Sequence, residues 1–149
     1  MNQTQTPIVP RVVLRRTYTA SRERVFAAWT QPDIAAKFLG PGDITIPEVQ
    51  MDVRSDGSYR ITMLKPDGER MVARGTYREV RPPERLSMTW RWEEDDPADE
   101  HESLLTLEFN DLGNETELVL THDQFVSAES RDRHQHGWTI IVDQLAEIV

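Results

Sequence analysis

The chain has 149 residues, with 17 basic and 26 acidic side chains, a net charge of -9 and an isoelectric point near 4.9. This length fits one domain with one sizeable hydrophobic core. The acidic surplus repels phosphate backbones and anionic lipids, so nucleic-acid binding and membrane-surface binding are disfavoured.

The chain contains no cysteine, which excludes disulfides, thiolate nucleophiles and cysteine-ligated zinc. Its first residues, MNQTQTPIVP, lack the positive start and the apolar core of a signal peptide. No apolar run approaches the roughly 20 residues that a bilayer span needs. We therefore expect a flexible tail over residues 1–10, one domain over residues 11–149, no membrane insertion and a cytoplasmic location.

The segment after the tail predicts a strand followed by two short helices. Residues 11–20, RVVLRRTYTA, alternate apolar and polar side chains in the manner of a strand. Ser21 then offers an N-cap oxygen to a helix whose apolar face carries Trp29. Pro32 fits the first turn of a second, shorter helix, and the Gly-Pro-Gly at 40–42 ends this pair.

From Asp43 onward the pattern changes to short alternating segments. Turn-forming residues recur as SDGS at 55–58, KPDGE at 65–69, RPPE at 81–84 and DLGNE at 111–115. Loops this short join antiparallel neighbours, because parallel strands need a longer crossover. With the first strand, these segments predict a curved antiparallel sheet of about six to seven strands.

The last segment predicts a long closing helix over about residues 127–149. Apolar or aromatic-like side chains recur there at spacings of three and four, which is typical of one helix face. They are His134, Trp138, Ile141, Leu145 and Ile148. Because this face should pack against the sheet, the predicted architecture is α+β.

Alternation also assigns an inner face to the central strands. It turns Met88 and Trp90 of one strand, and His122 at the end of another, toward the long helix. A sheet that curls around one helix leaves space beside it, so we expect an internal pocket lined by large side chains such as Met63 and Trp138. The alternative is that these side chains simply fill the core.

Several motifs resemble, in order, those of one known family. They are TYTASRERVFAAWTQPDIAAKFLGP, SDGSYRITMLKPDGE, GTYREVRPPERLSMTW, ESLLTLEF, TELVLTH and RDRHQHGW. This series is similar to the AHSA-like family, named after an activator of Hsp-90 ATPase, within the START-like (SRPBCC) superfamily. The residues that match its closing motif are Arg131, Asp132, His134, Gly137 and Trp138. Phe38 and Ser58 depart from the tryptophan and glycine common in that family.

The resemblance implies the helix-grip fold, in which a curved sheet wraps the C-terminal helix. Members of the superfamily hold lipids, sterols, polyketides or hormones between helix and sheet, and some act as cyclases by shaping the substrate. We therefore expect ligand-binding residues on the inner surfaces of both elements. The candidates are Trp29, Phe38, Met63, Met88, Trp90, Leu107, His122, His134, Trp138 and Ile141.

The cluster RDRHQHGW at 131–138 fits neither a metal centre nor a catalytic one. Structural zinc needs four ligands, and an H-x-H pair within a helix points its rings to different sides. No G-x-S-x-G elbow, phosphate loop or G-x-G-x-x-G motif occurs. We expect no metal, no cofactor and no catalytic residue. Instead, His134 should hydrogen-bond near the helix start, and Gly137 should let the helix approach the sheet.

Two charged features are expected at the surface. The acidic run EEDDPADEHE at 93–102 predicts a solvated loop at the pocket entrance. Arg60, Arg74 and Arg91 alternate with apolar neighbours along their strands and should face solvent.

Three functions remain open on these residues. The leading hypothesis is non-enzymatic binding of a hydrophobic or amphipathic small molecule, with His122 and His134 as polar anchors. A chaperone-associated or stress-response protein would instead bind a protein partner through its surface. A cyclase-like or hydrolase-like enzyme would use a pocket histidine as a general base.

Overall fold

The computed structural model describes residues 9–149. The strands are β1 (Val12–Tyr18), β2 (Thr45–Met51), β3 (Ser58–Leu64), β4 (Arg70–Arg81), β5 (Arg85–Trp92), β6 (Ser103–Asp111) and β7 (Thr116–Asp123). The helices are α1 (Arg22–Thr30), α2 (Pro32–Ala35) and α3 (Ala128–Leu145), with a 3-10 turn at Pro97–Asp99. Most of the tail expected over residues 1–10 lies outside the described residues.

The seven strands form one antiparallel sheet in the order β1-β7-β6-β5-β4-β3-β2. Strands β2 to β7 lie in sequence order, because the turns between them are too short for a crossover. Strand β1 closes the far edge along β7, with Val12 opposite His122 and Tyr18 opposite Thr116. The predicted α+β helix-grip architecture, with a curved sheet and two short helices after the first strand, is confirmed.

Helices α1 and α2 cover one end of the inner face of the sheet. The Ser21 hydroxyl accepts a hydrogen bond from the backbone N–H of Arg24 at 3.3 Å and so caps α1. Pro32 occupies the first turn of α2, where its missing N–H costs no helical hydrogen bond. Trp29 is buried and meets the ring of Phe38 edge-on, with 5.0 Å between ring centroids. This contact packs α1 against the segment that follows α2.

Helix α3 starts where the sequence predicts and ends one turn early. The Ser127 hydroxyl accepts a hydrogen bond from the backbone N–H of Ser130 at 3.1 Å, which caps the helix. The regular helix ends at Leu145 rather than at Val149. From Ala146 to Ile148, backbone N–H groups bond to carbonyls three residues back, so the chain tightens into turns.

The C-terminal half of α3 is tied to the rest of the fold by hydrogen bonds. The Tyr18 hydroxyl of β1 donates to the Val142 carbonyl at 2.7 Å. The Gln144 amide donates to the carbonyls of Phe38 and Gly40, at 3.0 and 2.9 Å, in the segment after α2. The helix therefore contacts both the first strand and the segment that follows the short helices.

The inner face of the sheet is the one that alternation predicts. The buried residues there, none more than 6 % exposed, are Met63, Leu86, Met88, Trp90, Leu105, Leu107, Phe109, Leu118, Leu120 and His122. Val119 is expected outside and does face outward, opposite Arg15 and Glu108, yet it is only 7 % exposed. Burial on the outer face is thus possible for an apolar residue between long charged neighbours.

The outer face carries a row of three arginines across adjacent strands. Arg60 of β3 lies opposite Arg74 of β4, and Arg74 lies opposite Arg91 of β5. Their side chains are partly exposed, so the predicted outward placement is confirmed. Three like charges in register repel one another, and such a row needs neutralising partners.

The acidic loop at 93–102 supplies those partners. Glu93 bonds to Arg60 at 3.1 Å, and Glu100 bonds to Arg74 at 2.7 Å. The Glu100 side chain is only 5 % exposed, so the expectation of a fully solvated loop is wrong at this residue. The arginine row holds the loop against the sheet because its carboxylates pair with the guanidinium groups.

Gly137 does not have the role expected of it. A Cβ added there would meet no atom within 4 Å, so no close approach of helix and sheet requires a glycine. Gly75 is the glycine that permits close packing in β4, since its added Cβ would lie 2.0 Å from the Thr89 carbonyl oxygen. The close approach therefore occurs between two strands and not between helix and sheet.

These two glycines predict opposite effects of alanine. Gly75→Ala should lower the free energy of unfolding by about 2–4 kcal/mol, because the new Cβ collides with backbone. Gly137→Ala should raise it by about 0.5–1 kcal/mol, because alanine restricts the unfolded chain and favours helix. Urea unfolding followed by circular dichroism measures both. Equal destabilisation by the two substitutions would contradict this assignment.

Candidate functional site

A cavity of about 630 Å³ lies between α3 and the inner face of β3, β4 and β5. We call it the α3 cavity. Its buried lining is mostly apolar and consists of Met63, Trp90, Phe125, Trp138 and Ile141, together with Ser103 and Ser130. Its exposed lining is charged and includes Glu69, Arg70, Glu94, Asp95, Asp99 and Arg133. The cavity therefore has an apolar interior and a charged mouth.

The structure brings half of the candidate site residues to this cavity. Those that line it are Met63, Trp90, His134, Trp138 and Ile141. The others, Trp29, Phe38, Met88, Leu107 and His122, are buried in the core and are not in the cavity wall. This second group supports the wall from behind, as the packing of Trp29 against Trp138 shows.

Most of the lining residues were not among the candidates, and three large apolar ones show why. Trp92 continues the inward stripe of β5, so the alternation that selects Trp90 also indicates it. Met71 lies on β4 opposite Met63, a pairing that depends on strand register. Phe125 follows β7 in a loop, where no periodic pattern marks it as inward.

His122 joins the helix to the sheet through hydrogen bonds at both ring nitrogens. The Trp138 indole N–H donates to His122 Nδ1 at 2.9 Å. An indole nitrogen is only a donor, so Nδ1 must be the unprotonated nitrogen. Nε2 therefore carries the proton and donates to the Ser103 hydroxyl at 2.7 Å, which in turn donates to the Trp90 carbonyl at 2.8 Å.

His134 is held by a second tryptophan in the opposite tautomer. The Trp92 indole N–H donates to His134 Nε2 at 2.9 Å, so that nitrogen is unprotonated. Nδ1 then donates to the Ser130 carbonyl at 2.7 Å, one turn back in α3. The expected hydrogen bond of His134 near the helix start is confirmed.

Both imidazoles are neutral near pH 7. Burial lowers the pKa of His122 to about 2, with a smaller lowering by His134. Burial also lowers the pKa of His134, the Ser130 carbonyl acts in the opposite direction, and the Arg133 charge adds to the lowering. The inner wall of the cavity thus carries no cationic histidine.

The same geometry opposes a general-base role for either histidine. Each accepting nitrogen already receives an indole N–H, so no free lone pair faces a substrate. His122 is also fully buried. A general base needs an open lone pair within reach of the proton that it removes. Within residues 9–149, no three His, Asp or Glu side chains converge on a point that could hold a metal ion.

Two of the four indole N–H groups have no partner among the described residues. They belong to Trp29 and Trp90, which are 4 % and 3 % exposed. Trp90 lines the α3 cavity, whereas Trp29 does not. The Trp90 ring lies between those of Trp138 and Trp92, with centroid distances of 5.1 and 5.6 Å. One of the two residues with an unpartnered indole N–H therefore belongs to the cavity wall.

Comparison with known proteins assigns the chain to a family. The family model described as "Activator of Hsp90 ATPase homolog 1-like protein" matches residues 19–149. The chain belongs to this family. Its members have a ligand-binding fold of the SRPBCC type. No curated protein matches the chain.

Several solved structures show the same fold. Protein CV1439 from Chromobacterium violaceum is 26% identical, with a TM-score of 0.84 over 94% of this chain and 97% of that chain. The AHSA1 protein SPO3351 from Silicibacter pomeroyi is 26% identical, with a TM-score of 0.82 over 93% and 96% of the two chains. A protein from Arthrobacter aurescens, 18% identical, shares the fold with a TM-score of 0.82 over 94% and 86%. None of the helices within residues 9–149 has the length and apolar character of a membrane span.

The buried neutral histidines predict acid sensitivity. In the unfolded chain His122 takes up a proton below its ordinary pKa of 6.5, whereas in the folded protein it does so only near its pKa of about 2. Its contribution to stability is therefore complete above pH 6.5 and is lost as the pH falls below that value. Between pH 6.5 and 5, His122 should account for about 1.5 kcal/mol of lost unfolding free energy.

The variant His122→Gln tests this contribution. Urea unfolding at pH 6.5 and at pH 5 should show that the variant loses about 1.5 kcal/mol less than the parent protein between the two pH values. His136→Gln is the matched control, because His136 is exposed on the same helix as Trp138. It should retain the parent's full loss. A His122→Gln protein with an unchanged pH response would contradict the assignment.

Proposed function

We propose that this protein binds a hydrophobic or amphipathic small molecule in the α3 cavity. The observation that carries the proposal is the cavity itself, about 630 Å³ with a buried apolar wall that contains the unpartnered Trp90 N–H. Ligand sites in proteins commonly measure about 300–1,000 Å³ and combine apolar walls with a few polar groups. The α3 cavity fits that description in both size and lining.

The Trp90 indole gives the ligand a chemical requirement. A buried donor without a partner costs about 1–3 kcal/mol relative to a satisfied one. A ligand with a carbonyl, ether or hydroxyl oxygen beside Trp90 would remove this cost. Direct ligand contacts are therefore proposed for Met63, Trp90, His134, Trp138 and Ile141. Support of the wall is proposed for Trp29, Phe38, Met88, Leu107 and His122.

The two other hypotheses have less support. The enzymatic one needs an available histidine base, and the ring nitrogens of His122 and His134 are already occupied. A chaperone-associated or stress-response role through the surface agrees with the name of the family, but no surface of residues 9–149 is singled out for it. That role, the protein partner that it requires and the cytoplasmic location stay predictions.

A binding screen tests the proposal. The protein is heated with fatty acids, sterols, flavonoids and aromatic polyketides, and calorimetry then gives the dissociation constant of any compound that raises the melting temperature. A ligand at about a hundred times its dissociation constant should add about 2.7 kcal/mol of stability. A screen without any hit would contradict the proposal and favour the surface-interaction hypothesis.

Three substitutions locate the bound compound. Gly137→Leu should abolish binding, because a Cβ at this position meets only open space and a longer side chain fills the cavity that Gly137 lines. Trp90→Phe should weaken a ligand with an acceptor oxygen about five- to tenfold through loss of one hydrogen bond. Trp29→Phe removes an equally unpartnered N–H from a residue behind the cavity wall and should reduce affinity less than Trp90→Phe does. Binding that survives Gly137→Leu would place the ligand elsewhere.

A further inference from the structure

We propose that the α3 cavity selects amphiphiles with a positively charged head group, whose apolar part lies against Trp90 and Trp138 and whose cation lies at the mouth. This inference rests on the proposed function and adds the charge of the ligand. It follows from the uneven distribution of charged groups along the cavity and from the chemistry of Trp90 and Trp92 in its wall.

Three charged groups of the cavity lining are already paired with side chains outside it. Glu69 bonds to Lys65 at 3.2 Å, and Arg133 bonds to Glu129 at 2.9 Å. Glu93 bonds to Arg60 on the outer face. These groups contribute little net charge to the cavity, because each has an opposite charge beside it.

The carboxylates that remain form what we call the acidic rim, Glu94, Asp95 and Asp99. Among residues 9–149, no lysine, arginine or histidine pairs with any of the three. Arg70 is the single cation in the lining that is likewise unpaired within that range. Three unpaired acids against one unpaired base give the mouth a negative potential, which the net charge of -9 reinforces.

The acidic rim is held in place by the sheet. Glu100 pairs with Arg74 at 2.7 Å, and its other oxygen accepts the backbone N–H of Glu94 at 3.4 Å. Asp96 accepts the backbone N–H of Ala98 at 3.0 Å and so caps the turn that carries Asp99. The rim is therefore positioned before any ligand arrives, and its negative potential does not depend on a loop rearrangement.

The wall next to the rim suits a cation as well. Trp92, half-buried in the cavity lining, directly precedes the acidic loop, and an indole face attracts an ammonium group. Deeper in the same wall, Trp90 is 3 % exposed and presents a second indole ring. His134 is neutral and adds no opposing charge. A carboxylate ligand would meet the rim's repulsion, whereas an ammonium would meet attraction from both rim and indole.

The test compares probes with the same ten-carbon chain and different head groups. They are decyltrimethylammonium, decyl glucoside and decanoate, each titrated by calorimetry below its micelle concentration at low salt. The ammonium probe should bind at least about fivefold more tightly than the glucoside, and the glucoside more tightly than decanoate. The advantage of the ammonium probe should shrink in 0.5 M salt, because exposed charges are then screened.

Matched variants assign the selection to the rim. Asp95→Asn with Asp99→Asn should remove the ammonium advantage, so that the ammonium probe binds no more tightly than the glucoside. Glu115→Gln with Glu147→Gln makes the same change in net charge at exposed sites outside the cavity lining, and should preserve the advantage. Gly137→Leu should abolish binding of both probes, which separates the cavity from adsorption to an acidic surface.

The outcomes distinguish this inference from the function on which it rests. Equal affinities for the three probes, or tightest binding of decanoate, would overturn the charge selection while the proposed function stands. An ammonium advantage that persists in Gly137→Leu, or that disappears in the Glu115 and Glu147 control, would also overturn it. If no probe binds and the wider compound screen is also empty, the proposed function itself fails.

Discussion

The hydrogen bond between the Trp138 indole and the His122 imidazole is the contact on which the site depends. It joins α3 to β7 in the middle of the core, and the other nitrogen of the imidazole continues through Ser103 to the Trp90 carbonyl of β5. Because a buried imidazole with an unmade hydrogen bond is costly, rotation or sliding of the helix is penalised. The open space beside Gly137 is what remains when the helix is held in this one position.

Much of the fold was predictable because hydrophobic periodicity reports which way a side chain faces. Alternation placed Trp90 and His122 inside, and Ser127 marked the start of α3. Periodicity does not report which partner a side chain meets. The pairing of each histidine with a tryptophan depends on strand register and helix rotation, and neither is contained in a short window of sequence.

For the same reason, only half of the candidate residues predicted from the sequence line the cavity. Trp138 and Ile141 followed from the helix face, but Phe125 lies in a loop without a period. The acidic run looked like an ordinary solvated loop, since its spacing says nothing about Arg74 on the outer face of a different strand. Only the sheet register, which aligns Arg60, Arg74 and Arg91, explains why Glu100 becomes buried and the loop stays at the cavity mouth.

The pairing of β1 with β7 delays completion of the sheet during synthesis on the ribosome. Strand β1 is synthesised before the other six strands, yet its only neighbour in the described sheet is β7, and about three-quarters of the 149 residues lie between Val12 and His122. The backbone N–H and C=O groups of β1 therefore have no strand partner until β7 has been synthesised. The tyrosine that ends β1 then anchors α3, so completion of the core couples the earliest of the seven strands to the helix that follows them all.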